Sequence, residues 1–173
     1  MEEVQAIRIM AIEYLDLGSR IKNQRVLEFT EEALLYANEE FFYQAASSSG
    51  KYHPSYALGI GGLLRHTKAA IIIAEELFTL YTFSSYTQDC IISALTLHDL
   101  EKPSKLHAIE VKLKLEPLRD KYVKEFDKVI PLIESHMGIW DMYGKLPRPN
   151  NKAQHFVHLA DYLASRKVIT VEV

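Results

Sequence analysis

An apolar segment of this chain ends in an adjacent histidine and aspartate, and this pair constrains the fold more than any other part of the sequence. The segment reads Ser93-Ala94-Leu95-Thr96-Leu97-His98-Asp99-Leu100-Glu101-Lys102-Pro103. Apolar residues seven, four and three positions before His98 place its side chain on the buried stripe of a helix. Unpaired polar groups are costly inside a core, so the fold must bring a partner to the pair. That partner could be a divalent metal ion, an oppositely charged side chain in an ion pair, or the hydrogen-bonding groups that surround an ordinary core histidine.

Other ionisable side chains lie on the inward stripes of separate predicted helices. These residues are His66, His136 and Asp161, and each shares its helix face with apolar neighbours. Taken singly, each could be an ordinary core residue with its own hydrogen bonds. Taken together, they would require several unrelated buried pairs in one small core, whereas a metal site uses them at once. Imidazole nitrogen combined with carboxylate oxygen suits Mn²⁺, Fe²⁺, Co²⁺, Ni²⁺ or Zn²⁺ better than Ca²⁺.

Length, charge and cysteine content narrow the class of protein. The 173 residues suffice for one domain over 1–173, with a helical N-terminal part at 1–50 and a motif-bearing core at 52–167. The formal net charge of −3 gives no strong overall field that would recruit nucleic acid. The single cysteine, Cys90, excludes a disulfide framework and argues against a thiolate zinc site.

The sequence carries no sign of export or of membrane insertion. No basic and apolar leader follows Met1, and the longest apolar run, at 69–74, is too short to cross a bilayer. We therefore expect a cytoplasmic protein that does not bind a membrane.

Hydrophobic periodicity predicts an all-α fold, a compact helical bundle. The expected helices span about 3–17, 24–42, 63–81, 87–97, 128–137 and 152–167. Proline and glycine predict a loop at 51–62, and Pro117 should divide the amphipathic stretch at 105–127. The β-branched tail at 168–173 should be extended and either dock on the domain or pair with another subunit.

Four segments together resemble the HD-domain metal-dependent phosphohydrolases, over about residues 52–167. Gly61-Gly62-Leu63-Leu64-Arg65-His66-Thr67 is similar to the Gly-Gly-Leu-x-x-His-Thr segment of that family, and His98-Asp99-Leu100-Glu101-Lys102 is similar to its His-Asp-x-x-Lys. Glu134-Ser135-His136-Met137-Gly138 resembles the Ser-His-His-Gly of HD domains in bacterial 3′-to-5′ exoribonucleases. The segment from His158 to Lys167 is similar to the terminal His-x-x-Asp-x-x-Ala motif.

The resemblance implies a metal centre. Its ligands would be His66, His98, Asp99 and Asp161. Methionine stands at position 137, where the exoribonuclease motif has a second histidine, so one ion is favoured and two remain open. The metal would be Mn, Fe, Co, Ni, Zn or Mg.

The resemblance also implies roles in phosphate ester hydrolysis. Asp99 would be a ligand and would orient the attacking water, and Lys102 would bind phosphate. His136 would be a phosphate contact, a proton relay or a ligand for a second ion. Arg65 and Arg166 would add substrate contacts.

The expected substrate is a nucleotide or a related phosphate ester. One alternative is a 3′-to-5′ nuclease or phosphodiesterase on single-stranded nucleic acid, which the negative charge and small size disfavour. The other is a nucleotide-binding or sensing module without catalysis. Four aromatic side chains could stack on bases or could equally anchor loops, which is the commoner role: Tyr52, Tyr56, Trp140 and Tyr143. The sequence leaves homo-oligomer formation open.

Overall fold

The computed structural model describes residues 2–140, 144–167 and 171–173, and these ranges contain helices but no β-strand. The helices are α1 (Glu2–Leu15), α2 (Leu17–Arg20), α3 (Gln24–Leu34), α4 (Glu39–Tyr43), α5 (Gly62–Leu77), α6 (Ser85–Leu97), α7 (His107–Leu115), α8 (Val123–Glu134) and α9 (Lys152–Ala164). Short 3-10 turns occupy Ser55–Ala57, Glu116–Leu118 and Gly138–Trp140. The all-α prediction is confirmed.

The two predicted N-terminal helices are each divided in the structure. Asp16, in the left-handed conformation with φ 53°, separates α1 from α2, so the first helix does not continue to residue 17. The predicted helix at 24–42 is broken between α3 and α4, where Asn38 is the extended N-cap residue. Glu39 and Glu40 follow in the first turn of α4, where acidic side chains favour a new helix start. The apolar periodicity continues across this break, so it hid the helix start at Asn38 from the sequence analysis.

Two prolines explain why one helix boundary was predicted correctly and another was predicted wrongly in the second half of the chain. α7 ends at Leu115, and Pro117 lies in the 3-10 turn that follows, as predicted. The predicted helix at 128–137 was wrong at its start, because α8 begins at Val123 and contains Pro131 in its interior. Pro131 lies on the exposed face of α8, where water can bond the carbonyl oxygen that a proline leaves free.

Helix α6 is the central element of the core. Every residue from Asp89 to Leu97 is buried, and α6 packs against α3, α5, α8 and α9. A helix enclosed on all sides is apolar around its whole circumference, which explains the length of this apolar run. Its C-terminal end therefore delivers His98 and Asp99 into the interior.

Part of the predicted extended tail, residues 168–170, lies outside the described residues. Val171 and Val173 pack against the core and form no strand. Among the described helices, none combines the length and the apolar character needed to cross a membrane.

Aromatic packing fixes α9 against the end of α5 and the segment after it. The Phe156 ring stacks on Phe78 with centroids 5.1 Å apart, and its edge contacts Tyr81 and Phe83 at the same centroid distance. This cluster sets the position of α9, and with it the position of Asp161 further along the helix.

Replacing Phe156 with alanine should lower the free energy of unfolding by about 3–5 kcal/mol, because it removes a buried ring and leaves a cavity among the remaining aromatic side chains. Urea unfolding followed by circular dichroism measures this loss. Leu80→Ala is the control, since Leu80 is 77% exposed and its truncation should change stability by less than about 0.5 kcal/mol. Equal losses in the two variants would contradict the role given to Phe156.

Candidate metal centre

Five helices contribute ionisable side chains to one buried cluster. His66 comes from the first turns of α5, His98 and Asp99 follow α6, His107 begins α7, His136 follows α8, and Asp161 lies on α9. His66, His98 and Asp99 are completely buried. The structure therefore brings together the four predicted ligands and His136, and it adds His107.

The predicted ligands form the first group of the cluster. His66 Nε2 lies 3.0 Å from Asp161 Oδ1 and 3.8 Å from Asp99 Oδ2. His98 Nε2 lies 3.2 Å from Asp99 Oδ2 and 3.5 Å from Asp161 Oδ1. Two imidazole nitrogens and two carboxylate oxygens thus face a common centre. The pairwise separations among His66, His98 and Asp99 are compatible with one shared metal ion.

A second group forms on the other oxygen of the same carboxylate. His107 Nε2 lies 3.2 Å from Asp99 Oδ1 and 3.1 Å from His136 Nε2. His136 Nε2 lies 3.8 Å from Asp99 Oδ1. These three residues also have the separations of a metal-binding set. Asp99 therefore presents one oxygen to each group.

Backbone hydrogen bonds orient three of the histidines. In His98, His107 and His136, Nδ1 donates to the carbonyl oxygen of the residue three positions earlier, at 2.7, 2.8 and 2.7 Å respectively. A proton held on Nδ1 leaves the lone pair of a neutral imidazole on Nε2. Metal-binding histidines are commonly oriented by such a bond from the opposite ring nitrogen. All three Nε2 atoms point into the cluster.

The middle of the cluster lacks the hydrogen bonds that buried polar atoms normally make. Within the described part of the chain, neither carboxylate oxygen of Asp99 accepts a well-aligned hydrogen bond, and His98 Nε2 also has no hydrogen-bond partner. The Lys102 ammonium, 2.6 Å from Asp99 Oδ2, compensates part of the buried charge, but buried polar atoms without aligned hydrogen bonds still cost free energy. A divalent cation satisfies carboxylate oxygens and imidazole lone pairs together, so the donor set fits a metal ion.

Electrostatic coupling holds the cluster in charged form. Burial alone would lower the pKa of His98, but the Asp99 and Asp161 carboxylates outweigh burial and raise that pKa to about 10. Burial would raise the pKa of Asp99, but His98 and Lys102 hold it well below its usual range. Burial would likewise raise the pKa of Asp161, but His66 and His98 hold it well below its usual range, so both carboxylates are ionised at neutral pH, as ligation requires.

The pKa values of His136 and His53 shift in the opposite direction to that of His98, because carboxylates do not outweigh burial at these two side chains. Burial, reinforced by the neighbouring His98 and His107, lowers the pKa of His136 to about 3. Burial and the nearby His66 lower the pKa of His53 to about 4, and the rings of His53 and His66 are 5.8 Å apart. Both side chains are neutral at neutral pH, so neither places further positive charge beside a cation.

Lys102 lies where the cluster meets a cavity. Its Nζ is 2.6 Å from Asp99 Oδ2, and its backbone carbonyl accepts a hydrogen bond of 2.9 Å from the Gln44 amide. Asp99 and Asp161 raise the pKa of Lys102 although burial opposes them, so its ammonium group is charged.

The cavity has a volume of about 560 Å³. Its lining residues are Gln44, Ala45, Ala46, Ser47, Ser48, Lys102, Pro103, Ser104, Lys105, His107, Met137 and Trp140. Lys102 and His107 connect it to the metal cluster, and its described lining contains no carboxylate. An anionic molecule in this cavity would reach the second group directly.

The two predicted substrate-binding arginines lie outside this lining. Arg65 donates from Nε to the carbonyl of Tyr56 at 2.6 Å and from Nη2 to the carbonyl of Leu58 at 2.9 Å, so its guanidinium holds the turn before α5. The guanidinium of Arg166 lies 4.1 Å from the ring centroid of Tyr162 and 5.2 Å from that of Trp140. Direct substrate contact by either arginine stays a prediction.

Of the other aromatic residues proposed to stack on bases, Tyr52 and Tyr56 also lie outside the cavity lining. Tyr56 donates its hydroxyl to the carbonyl of Ala164, so it anchors the turn to α9. The ring of Tyr52 is 5.9 Å from the guanidinium of Arg166. Tyr143 lies outside the described residues.

Sequence reasoning missed His107. Its signal was the helical stripe that identified His66 and His136, since Val111 and Leu115 follow His107 at intervals of four residues and all three are buried. The surrounding lysines made this stretch look like a solvated helix and hid the stripe.

Comparison with protein-family models, with curated proteins and with solved structures found no match. The centre is therefore interpreted from its own residues.

His158 stabilises the backbone at His136 through a hydrogen bond. Its Nδ1 donates to the backbone carbonyl of His136 at 2.7 Å. Gly138 lies against the same imidazole in the left-handed conformation, with φ +54°, and a Cβ added there would come within 2.6 Å of the His158 ring. Only glycine allows this turn and the His158 contact together.

Gly138→Ala should therefore be more destabilising than Gly144→Ala. Both positions have a positive φ, but a Cβ at Gly144 would meet no atom of the described residues within 4 Å, so this control isolates the backbone cost of about 1–2 kcal/mol. Overpacking against His158 should lower the free energy of unfolding by about 1 kcal/mol more. Urea unfolding measures both variants, and equal losses would show that the contact with His158 is unimportant.

Proposed function

We propose that this protein is an HD-type metal-dependent phosphohydrolase that acts on a nucleotide or a related phosphate ester. The observation that supports the proposal best is the Asp99 carboxylate, which is completely buried and lacks well-aligned hydrogen bonds among the described residues. Its two oxygens face two groups of imidazole nitrogens. A charged lysine, Lys102, pairs with this carboxylate and lines a neighbouring cavity.

Two ions would be held by two overlapping sets of ligands. His66, His98, Asp99 and Asp161 would hold the first, as the HD resemblance implies. Asp99, His107 and His136 would hold the second, so His107 supports the two-ion form over the one-ion form. Mixed imidazole and carboxylate donors suit Mn, Fe, Co, Ni or Zn, with Mg as a further choice.

The chain supplies positioning and charge around the reacting phosphate. Divalent ions in such a site provide a hydroxide-like nucleophile at neutral pH and neutralise phosphoryl charge. The Lys102 ammonium, held charged beside Asp99, stabilises the negative charge that develops on the phosphoryl oxygens. Hydrolysis joins the oxygen of water to phosphorus and breaks the bond from phosphorus to the leaving oxygen, which takes a proton.

The number of ions bound should depend on His107. Metal-stripped protein equilibrated with Mn²⁺ should bind two ions per chain, and His107→Ala should bind one, because the second group then retains only Asp99 and His136. Equilibrium dialysis with elemental analysis measures the ratio. His155→Ala is the matched control, since His155 is exposed and away from the cluster, and it should retain two. Equal stoichiometry in wild type and His107→Ala would contradict the assignment of the second set.

Phosphate release should require both metal and Asp99. Wild-type protein with Mn²⁺, Co²⁺, Ni²⁺, Zn²⁺ or Mg²⁺ should hydrolyse a member of a panel of nucleoside mono-, di- and triphosphates and cyclic nucleotides. Asp99→Ala should lower that rate by roughly 10²- to 10³-fold or more, as removal of a central electrostatic group does.

Asp120→Ala should keep the wild-type rate, because Asp120 is exposed. Retained activity in Asp99→Ala, or loss of activity in both variants, would contradict the proposed centre. Metal binding without turnover of any panel member would favour the binding or sensing alternative.

A further inference from the structure

We propose that the cavity beside the metal cluster binds one nucleotide, with its phosphate at Lys102 and its base stacked on Trp140. This inference rests on the proposed phosphohydrolase function and narrows its substrate to a molecule with a planar aromatic ring. It makes Trp140 a specificity-determining residue.

Trp140 is placed to accept a flat ring. It lines the cavity, yet 47% of its surface is exposed, which is unusual for the largest apolar side chain. Its own chain covers one side, since the Tyr162 ring lies nearly parallel to it at 10°, with centroids 6.0 Å apart. A half-exposed indole in the wall of a cavity is the kind of surface on which bases stack.

Arg166 holds this aromatic pair in place. Its guanidinium contacts Tyr162 and Trp140, and cation–π contacts of this kind stabilise the arrangement without filling the cavity. Arg166 itself is outside the lining. A surface that is already ordered loses little freedom when a ligand binds, so Trp140 is a preorganised wall.

Charge and chemistry in the cavity match the rest of a nucleotide. Lys102 and Lys105 contribute positive charge, and no carboxylate is present in the described lining to repel a phosphate. The hydroxyl groups of Ser47, Ser48 and Ser104 provide donors and acceptors for a sugar.

The size of the cavity favours a single nucleotide over a nucleic-acid strand. A volume of about 560 Å³ is within the range of small-molecule sites. Proteins that bind single strands stack successive bases on several aromatic side chains along a basic groove. Apart from the His107 imidazole, which belongs to the metal cluster, Trp140 is the one aromatic residue in the described lining, so the cavity offers one stacking position away from the cluster.

The fluorescence of the protein provides a direct test, because Trp140 is the single tryptophan of the chain. Wild-type protein loaded with diamagnetic Zn²⁺ or Mg²⁺ is mixed in a stopped-flow instrument with adenosine 5′-monophosphate or with ribose 5-phosphate. Stacking predicts a saturable quench with the nucleotide and none with the sugar phosphate, which has the same phosphate but no base. No quench with either, or equal quenching by both, would overturn the inference.

Steady-state kinetics test the same contact through variants. Trp140→Ala should raise KM for the nucleotide by about 5- to 150-fold, the range expected for the loss of one base–aromatic stack, and should change KM for ribose 5-phosphate by less than about twofold. Trp140→Phe should restore most of the nucleotide affinity, because it restores an aromatic face. Equal changes for both substrates in Trp140→Ala, or no change for either, would overturn the inference.

Further outcomes separate this inference from the proposed function. A quench specific to the nucleotide, without hydrolysis of any phosphate ester under any metal, would support the stacking site and contradict the phosphohydrolase function. Hydrolysis of ribose 5-phosphate as efficient as that of the nucleotide would support the function and overturn the stacking site. Much tighter binding of a trinucleotide than of the mononucleotide would overturn the single-nucleotide assignment.

Discussion

The whole structure depends on burying one ionised carboxylate. Asp99 is enclosed at the end of the central helix α6, and its oxygens are surrounded by imidazole nitrogens and the Lys102 ammonium without well-aligned hydrogen bonds among the described residues. Taking such a charge out of water is expensive unless cations compensate it. In the absence of metal, His98 and Lys102 supply that compensation through their protons. A divalent cation would replace the proton on His98, which links metal uptake to the charge balance of the core.

The same local hydrogen bond orients three of the histidines. A helix end or tight turn supplies a carbonyl three residues before His98, His107 and His136, and each Nδ1 bonds to it. This bond fixes both the ring orientation and the nitrogen that faces the cluster. His158 adds support to the backbone at His136. The geometry of the centre is therefore determined mainly by backbone positions, which the packing of α6 against α5, α8 and α9 controls.

Much of this arrangement could be predicted from the sequence, because helical stripes report which side chains point inward. His66, His98, Asp99, His136 and Asp161 were placed correctly in one interior region on that basis. His107 was missed because lysines flank it. The start of α8 was misplaced because Pro131 lies inside the helix, where proline is normally excluded. The two faces of the Asp99 carboxylate could not be predicted. They depend on the relative rotation of α6 and α7, which periodicity within single helices does not encode.

The two groups of the cluster differ in their access to the cavity. Of the six clustered side chains, His107 lines the cavity, whereas His66, His98 and Asp161 do not. The second group therefore borders, through His107, the space from which a substrate would enter, whereas no side chain found only in the first group lines it. Lys102 joins them, since it lies in the lining and pairs with the Asp99 oxygen that faces the first group. Metal bound by the first group would set the position of Asp99, and Asp99 in turn would set the ligand geometry of the group that meets the phosphate.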